Sequence, residues 1–554
     1  MIFLRRPLVL LVALLLGFAA LSELGYRKLA NPDEGRYSEI AREMAVTGDF
    51  VTPRLNGLKY FEKPPMQYWA TAAAFAAFGE SEFSARLYTF LCGIGCILLI
   101  AYAGSRLFDD ETGALAALVL LATPYFMMLS EIVTLDMGLT FWMTLGVCSF
   151  MLAQASSSEA GRRRWMLLAW AGMAGAVLSK GLVGIVFPAA GIFLYCVVQR
   201  DFRLLLKLEW LRGLALFLAI AAPWFVVVSI RNPEFAQFFF IHEHFERFLT
   251  NSHRREAAWW FFVPILFAGF LPWMIALLPA MISGWRTPAL SKPDGSTFAP
   301  LKFLLLFSAF VLLFFSKSSS KLPAYILPMF PVLALVMAVY LRRVSPQRLA
   351  WLVIPILPLA LVGAYAAWIA PARRAGGDLA RQQLFTEMSL GVVAAMLLIA
   401  AAALVAFFAL RFGRKWVGAI ALSASIFGML ILLARGYENI SPLQSGHAVA
   451  AAISPQLTPD TRLYAVRIYD QSLPFYLKRT LTLVNYVDEF EMGEKSEPQK
   501  YIAQLGDFAA AWTAPGPAIA IIQPDDVESL RAMGLPFAVI HSDAKRVAIK
   551  KIQL

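Results

Sequence analysis

Apolar runs of roughly twenty residues, repeated along most of the chain, constrain this sequence more than any other feature. A bilayer core about 30 Å thick is crossed by about 20 apolar residues in a helix. Such runs fall at about 7–24, 85–106, 113–130, 133–154, 165–180, 182–199, 211–230, 259–283, 301–316, 322–341, 349–370, 388–410 and 416–434. They predict a polytopic α-helical membrane protein with about 13 transmembrane helices. Composition agrees: 59% of the 554 residues are hydrophobic and 16% are charged, where a soluble chain has about 25% charged. The shorter, alanine-rich stretch at 66–78 reads as an interfacial or re-entrant helix.

The formal net charge is +12, but the Lys and Arg residues sit at the ends of apolar runs rather than in one patch. They read as topology signals, not as a nucleic-acid footprint. With the N-terminus inside, Arg5, Arg6, Arg106 and the clusters at 161–164, 199–207, 341–343 and 411–415 all fall on the cytoplasmic side. The first run is then an uncleaved helix. This topology puts the loops 25–84 and 231–258 on the outer face, with interfacial helices, together with everything after 434. The expected division is a transmembrane domain, 1–434, followed by an α/β domain, 435–554, whose strands are TRLYAVRIYD, TLTLVNYV, AIAIIQ and KRVAIKKI. EPQKYIAQLGDFAAAW and DDVESLRAMG read as its helices. Cys92, Cys96, Cys148 and Cys196 all lie in apolar runs and suit packing rather than metal or disulfide chemistry. A GxxxxGK[ST] loop and a GxGxxG fingerprint are both lacking, so nucleotide-driven transport and dinucleotide redox chemistry have no support.

The outer loop opens with Asn31-Pro32-Asp33-Glu34. One reading is structural: Asn31 caps a helix running to about Met44, Pro32 takes its first position and Glu34 completes a capping box. Helical geometry gives the other. At about 100° per residue Asp33 shares the apolar face of Tyr37, Ile40 and Met44, while Glu34 falls with Ser38 and Arg42 on the polar one. A carboxylate at the head of a buried face is costly unless paired or used, and Arg36 is the nearest partner. Further along, Glu62 and Lys63 stand before Pro64-Pro65 among Tyr60, Phe61, Tyr68 and Trp69. They suit either a surface salt bridge or a site for a charged headgroup.

Three more clusters map to the same membrane face. His242, Glu243, His244, Glu246 and Arg247 lie among phenylalanines in what reads as an amphipathic interfacial helix. His242 and His244 point to different sides of a regular helix, a weak metal signal. Lys317, Lys321 and Tyr325 lie at the outer mouths of two helices, where cations meet lipid phosphate. Asp136, near the outer end of the fourth span, reads as functional or as half of a buried pair.

As a set, N-P-D-E-x-R-Y at 31–37, F-E-K-P-P-x-x-Y-W at 61–69, S-K-G-L at 179–182 and K-L-P-x-Y-I-L-P at 321–328 resemble the 4-amino-4-deoxy-L-arabinose lipid A transferases. These are relatives of the protein O-mannosyltransferases in the C-type glycosyltransferase superfamily. The resemblance covers the membrane portion. It implies an enzyme of the bacterial inner membrane with its active site facing the periplasm. Such an enzyme takes aminoarabinose from undecaprenyl phosphate and gives it to a lipid A phosphate, conferring polymyxin resistance. It further implies Asp33 as a catalytic carboxylate, with Asp136, Glu62 and Lys63 in the cavity. Arg36, Lys63 and Lys321, with Tyr325, would hold the donor and the departing phosphate.

A lipid A phosphate is already an anionic nucleophile, so Asp33 is left to act as a base, to hold the donor's amine or to orient the acceptor. With no second carboxylate placed as a nucleophile, a single inverting displacement is expected. No cofactor is required; a divalent ion such as zinc, on Glu62 with His242 or His244, is an option. The expected chain is a monomer that binds membrane lipids and no nucleic acid. Two rivals stay open: an O-mannosyltransferase-like enzyme acting on a protein hydroxyl, and a non-enzymatic lipid-phosphate flippase. A flippase predicts charges at mid-membrane or a repeated half, whereas the charges here gather at one surface.

Overall fold

The computed structural model describes residues 21–246, 257–291, 297–374 and 379–552. The expected first span at about 7–24 lies almost wholly outside them. The chain divides into two compact units: one comprises residues up to Leu24 with Arg86–Gly436, the other Gly25–Ala85 with Tyr437–Leu554. The first outer segment thus groups with the C-terminal residues in one unit.

Among the described residues seven helices are long and apolar enough to cross a membrane, or nine if each of two bent pairs is one span. Thirteen were expected. Part of the difference lies in how apolar runs break; another part lies in unbroken but shorter helices, such as Val183–Gln199 in the run expected at 182–199. The run at 113–130 bends by 71° between Asp110–Leu121 and Pro124–Ser130, and the run at 259–283 bends by 101° between Phe262–Gly269 and Met274–Arg286. Each break carries a proline, Pro124 or Pro272, which removes a backbone donor and disfavours helix in the residue before it. The run at 322–341 is a short 3-10 turn, Pro323–Ile326, followed by a 15-residue helix, Met329–Arg343.

Within this unit Leu135–Ala155 is almost wholly buried, whereas Trp210–Arg231 leaves most of its apolar surface on the outside. Small residues let helices come close: a methyl on Gly172 would stand 2.7 Å from the backbone nitrogen of Gly146, the backbone approach that glycine permits between helices in lipid. All four cysteines are buried thiols.

The second unit starts with the helix Asp33–Thr47, which carries the N-P-D-E motif. A two-stranded hairpin follows, Arg54–Leu55 against Leu58–Lys59. Its turn residues Asn56 and Gly57 both have positive φ, 54° and 78°, as a type I′ turn requires. The helix Met66–Phe78 buries Tyr68, Ala72 and Phe75.

The C-terminal residues form a six-stranded sheet in the order Tyr501–Ile502, Thr482–Val484, Arg462–Val466, Ala518–Ile522, Val547–Lys551 and Phe537–Ser542. The first four strands run parallel, and the last two pair antiparallel. All four expected strands are present. Two were missed, and one of them, Tyr501–Ile502, interrupts a stretch expected as helix, which starts only at Leu505. Ala518–Ile522 is buried at every position, as a central strand covered on both faces should be.

Candidate active site

The start of the motif helix departs from a capping box. The helix begins after Pro32 and has no side-chain cap. The Asn31 amide instead donates to Asp470 Oδ2 at 2.8 Å, and its oxygen accepts from the Ser472 N–H at 2.9 Å. The faces are also reversed from expectation. Glu34 is 1% exposed, paired with Arg27 at 2.9 Å and accepting from the Ala30 N–H at 3.0 Å. The Asp33 side chain is 44% exposed, with Arg36 Nη1 at 3.5 Å. The single-stripe argument fails because the helix is buried on nearly every side, including Glu34, Gly35 and all of Tyr37–Met44. A helix wrapped by its own domain has no solvent face on which to leave its acids.

Behind Asp33 lies a buried cluster of opposite charges and phenols. Arg36 pairs with Glu489 at 2.5 Å, and Gln471 donates to the other Glu489 oxygen at 2.8 Å. Burial pulls the Arg36 guanidinium down, but Tyr60, Glu489, Tyr37 and Glu62 more than reverse this and keep it charged. Burial pushes the Glu489 carboxyl up to about 7 against the pull of Arg36. Tyr37, Tyr60 and Tyr68 are all raised, by burial first and then by Asp33 for Tyr37 and by Glu62 for the other two, so they stay neutral. The hydroxyls of Tyr60 and Tyr68 are buried without a hydrogen-bond partner, which costs about 1–3 kcal/mol per group. Lys63 Nζ donates to the Glu62 carbonyl at 2.8 Å, and both side chains are under one fifth exposed. One turn and more along the same helix, Glu39 holds Arg42 by two bonds of 2.7 Å. Glu43 accepts from the Gly57 N–H at 2.9 Å, and burial, then Glu39, push its carboxyl up to about 8.

The structure thus brings Asp33, Arg36, Glu62 and Lys63 into one unit, while Asp136, Lys321 and Tyr325 belong to the other. There Asp136 is ion-paired with Lys180, and the Lys180 ammonium lies over the Tyr325 ring, 4.6 Å from its centroid. Lys180 thereby links two expected site residues. Lys321 is buried, and its ammonium donates to the Ser318 carbonyl at 2.6 Å.

The expected amphipathic helix after residue 237 begins as a π-helix, Gln237–Glu246, in which the His242 ring stacks on Phe238 at 5.3 Å. The side chain of His244 and residues 247–256 lie outside the described residues. Among the described residues no group of three or more His, Cys, Asp or Glu side chains is placed to hold a metal ion, and Glu62 and His242 belong to different units.

Sequence reasoning missed Lys180 and Glu489 as site residues. Lys180 had a signal, a cation inside the S-K-G-L motif. Glu489 had none, since nothing in its own segment separates it from other surface acids.

Residues 449–551 match the model of the aminoarabinose transferase C-terminal domain, and residues 7–239 that of the dolichyl-phosphate-mannose-protein mannosyltransferases. Two undecaprenyl phosphate-alpha-4-amino-4-deoxy-L-arabinose arabinosyl transferases are similar to the chain. The one from Edwardsiella ictaluri is 32% identical over 323 residues, 58% of this chain and 57% of that protein. The one from Pseudomonas aeruginosa PAO1 is 35% identical over 340 residues, 60% of this chain and 59% of that protein. The matched stretch thus spans less than two thirds of these relatives' own length. The crystal structure of ArnT from Cupriavidus metallidurans bound to undecaprenyl phosphate superimposes with a TM-score of 0.93 at 34% identity, over 99% of this chain and 98% of that one.

Proposed function

The chain belongs to the aminoarabinose transferase family, and from that premise we propose that it moves 4-amino-4-deoxy-L-arabinose from undecaprenyl phosphate to a lipid A phosphate. The reaction would take place at the periplasmic face of the bacterial inner membrane. The observation that carries this reading is the cluster behind Asp33: a buried cation, a buried carboxyl and unpartnered phenol hydroxyls side by side. An amino sugar presents an ammonium and several hydroxyls, and those are the groups that Glu489 and Asp33, and Tyr60 and Tyr68, would satisfy.

In the step itself a lipid A phosphate oxygen bonds to the sugar's anomeric carbon as the bond to the undecaprenyl phosphate oxygen breaks, and undecaprenyl phosphate leaves as an anion. Arg36 and Lys63 are placed in this unit to stabilise negative charge on the departing phosphate. Asp33, with the most exposed carboxylate of the cluster, is the group that meets the substrate; in this reading it orients the acceptor or the donor's ammonium rather than removing a proton. No step is routed through a metal ion.

The test is mass spectrometry of lipid A incubated with the purified full chain and synthetic undecaprenyl phosphate-aminoarabinose. The expected result is lipid A carrying one or two added aminoarabinose residues. Unmodified lipid A with transfer to a serine-containing peptide would favour the O-mannosyltransferase-like reading. Donor crossing vesicles without transfer to either acceptor would favour the flippase.

A further inference from the structure

We propose that the C-terminal α/β domain is a positioning element of the catalytic site: buried Asp470 and Arg546 grip Asn31 and so fix the backbone that presents Asp33. This rests on Asp33 meeting the substrate, as proposed above. The Asn31 side chain is used at both ends, its amide on Asp470 Oδ2 at 2.8 Å and its oxygen on the Ser472 N–H at 2.9 Å. Its own N–H donates to the Gln444 carbonyl at 2.8 Å.

The receiving side is rigid. Asp470 Oδ1 accepts from the Ser472 N–H at 3.0 Å, the Ser472 hydroxyl at 2.7 Å and the Leu473 N–H at 3.1 Å. Arg546, 2% exposed, is ion-paired with Asp470 Oδ2 and donates to the Asp543 carboxylate at 3.0 Å and the Pro442 carbonyl at 2.5 Å. Asn31, Asp470, Ser472 and Arg546 each have hydrogen-bond partners in this chain of contacts, and a buried polar network whose members are paired fixes geometry instead of loosening it.

The hold continues into the helix. Gly35 lies against the backbone of Gln471 and Ser472, and Arg36 is paired with Glu489. Residues 31, 35 and 36 are thus all fastened to the C-terminal domain, while Asp33 between them has a long 3.5 Å contact to Arg36. A carboxylate on such a backbone is aimed by the residues on either side of it. Asn31 and Asp470 are positioning residues, and so is Arg546, which acts through Asp470.

The test uses the purified full chain and the variants Asn31→Ala, Asp470→Asn, the two combined, and Arg546→Lys. Misplacing a reacting group by about 1 Å costs on the order of 100-fold in rate. The expected result is a kcat lowered about 10- to 100-fold in each of the first two, with the KM for the donor close to wild type; the thermal midpoint stays close to wild type in Asn31→Ala and falls in Asp470→Asn, which leaves buried Arg546 with Asp543 as its only acidic partner among the described residues. The double variant should be no slower than the slower single one, because both cut one link. Arg546→Lys, which keeps the charge on Asp470, should retain most of the activity. Hydrogen exchange at amides 33–37 should speed up in Asn31→Ala and Asp470→Asn.

A kcat within twofold of wild type in both single variants, multiplying losses in the double, or a loss that follows donor affinity would overturn the proposal. If Asp470→Asn does not fold, Asn31→Ala alone decides. If the wild type transfers no aminoarabinose, the functional reading fails; exchange at amides 33–37 then decides the clamp by itself, and unchanged protection rejects it.

Discussion

Replacing Gly35 with alanine tests how closely the motif helix must approach its own domain. The added methyl would lie 2.4 Å from the Ser472 nitrogen, 2.6 Å from the Gln471 carbonyl carbon and 2.7 Å from the Ser472 Cα, all backbone atoms with no rotamer to yield. Ordinary contact begins near 3.4 Å, so the helix start or the 471–472 segment must move by about 1 Å. Overpacking of this kind costs about 1–3 kcal/mol, and the upper end applies where only backbone can give way. The same displacement acts on the residue two positions earlier, Asp33, with an expected rate loss on the order of 100-fold.

The assay is donor turnover together with thermal unfolding of the purified chain. Gly506→Ala is the control. It lies near the start of Leu505–Thr513 with nothing within 4 Å of its added methyl, and should be neutral or stabilising by up to about 1 kcal/mol. Gly35→Ala with wild-type turnover and an unchanged melting midpoint would refute the argument that this contact is inflexible.

Lys180→Met leaves the Asp136 carboxylate buried without its cation and should destabilise by about 3–5 kcal/mol; adding Asp136→Asn should restore at least half of the lost melting temperature, and equal midpoints in the single and double variants would reject the pair as the cause. Glu43 has a carboxyl raised by burial from the ordinary 4.5 to about 8, so the folded state holds that proton more tightly than the unfolded one. The resulting stability is fully present below about 4.5 and is lost as pH rises through about 8. Glu43→Gln should therefore flatten the melting-temperature profile between those values and raise the midpoint at pH 8, and parallel profiles would reject it. Tyr60→Phe and Tyr68→Phe remove buried hydroxyls that bond to no protein group. Both should be as stable as wild type or up to about 1–3 kcal/mol more stable, while transfer falls and undecaprenyl phosphate binding is kept; lower stability with full transfer would show a structural role instead.

The motifs were legible because their chemistry is local. Two carboxylates after a helix-starting Asn-Pro, and a Glu-Lys pair before two prolines, stand out against apolar surroundings wherever the chain later folds. What those side chains do was less legible, because it is decided by residues outside the motif, some of them more than 400 positions away. Asn31 looks like a cap until Asp470 and Ser472 arrive to take its side chain. Glu34 looks solvent-facing until Arg27 covers it. Periodicity assumes one buried face, and the helix Asp33–Thr47 has almost no other kind. The path of the spans was hidden for a different reason: hydropathy sums over a run and does not register that a run with Pro124 or Pro272 at its break turns by 71° or 101°. The sheet was read from its four apolar strands. Of the two strands at its edges, Tyr501–Ile502 is too short to show a pattern, whereas Phe537–Ser542 carries the apolar run FAVI and was legible but missed.

The second unit is assembled from two stretches of chain separated by roughly 350 residues, and this orders events during synthesis. At about 5–20 residues per second, the segment 25–85 leaves the ribosome some 20–70 s before the first residue of its partner segment does. Through that interval Glu34, Glu39, Arg42 and Glu43, all buried in the finished unit, lack the C-terminal surface that encloses them. A nascent chain at this stage carries the motif but not the site, and any ribosome that stops before the last strand, Val547–Lys551, leaves Asp470 without Arg546.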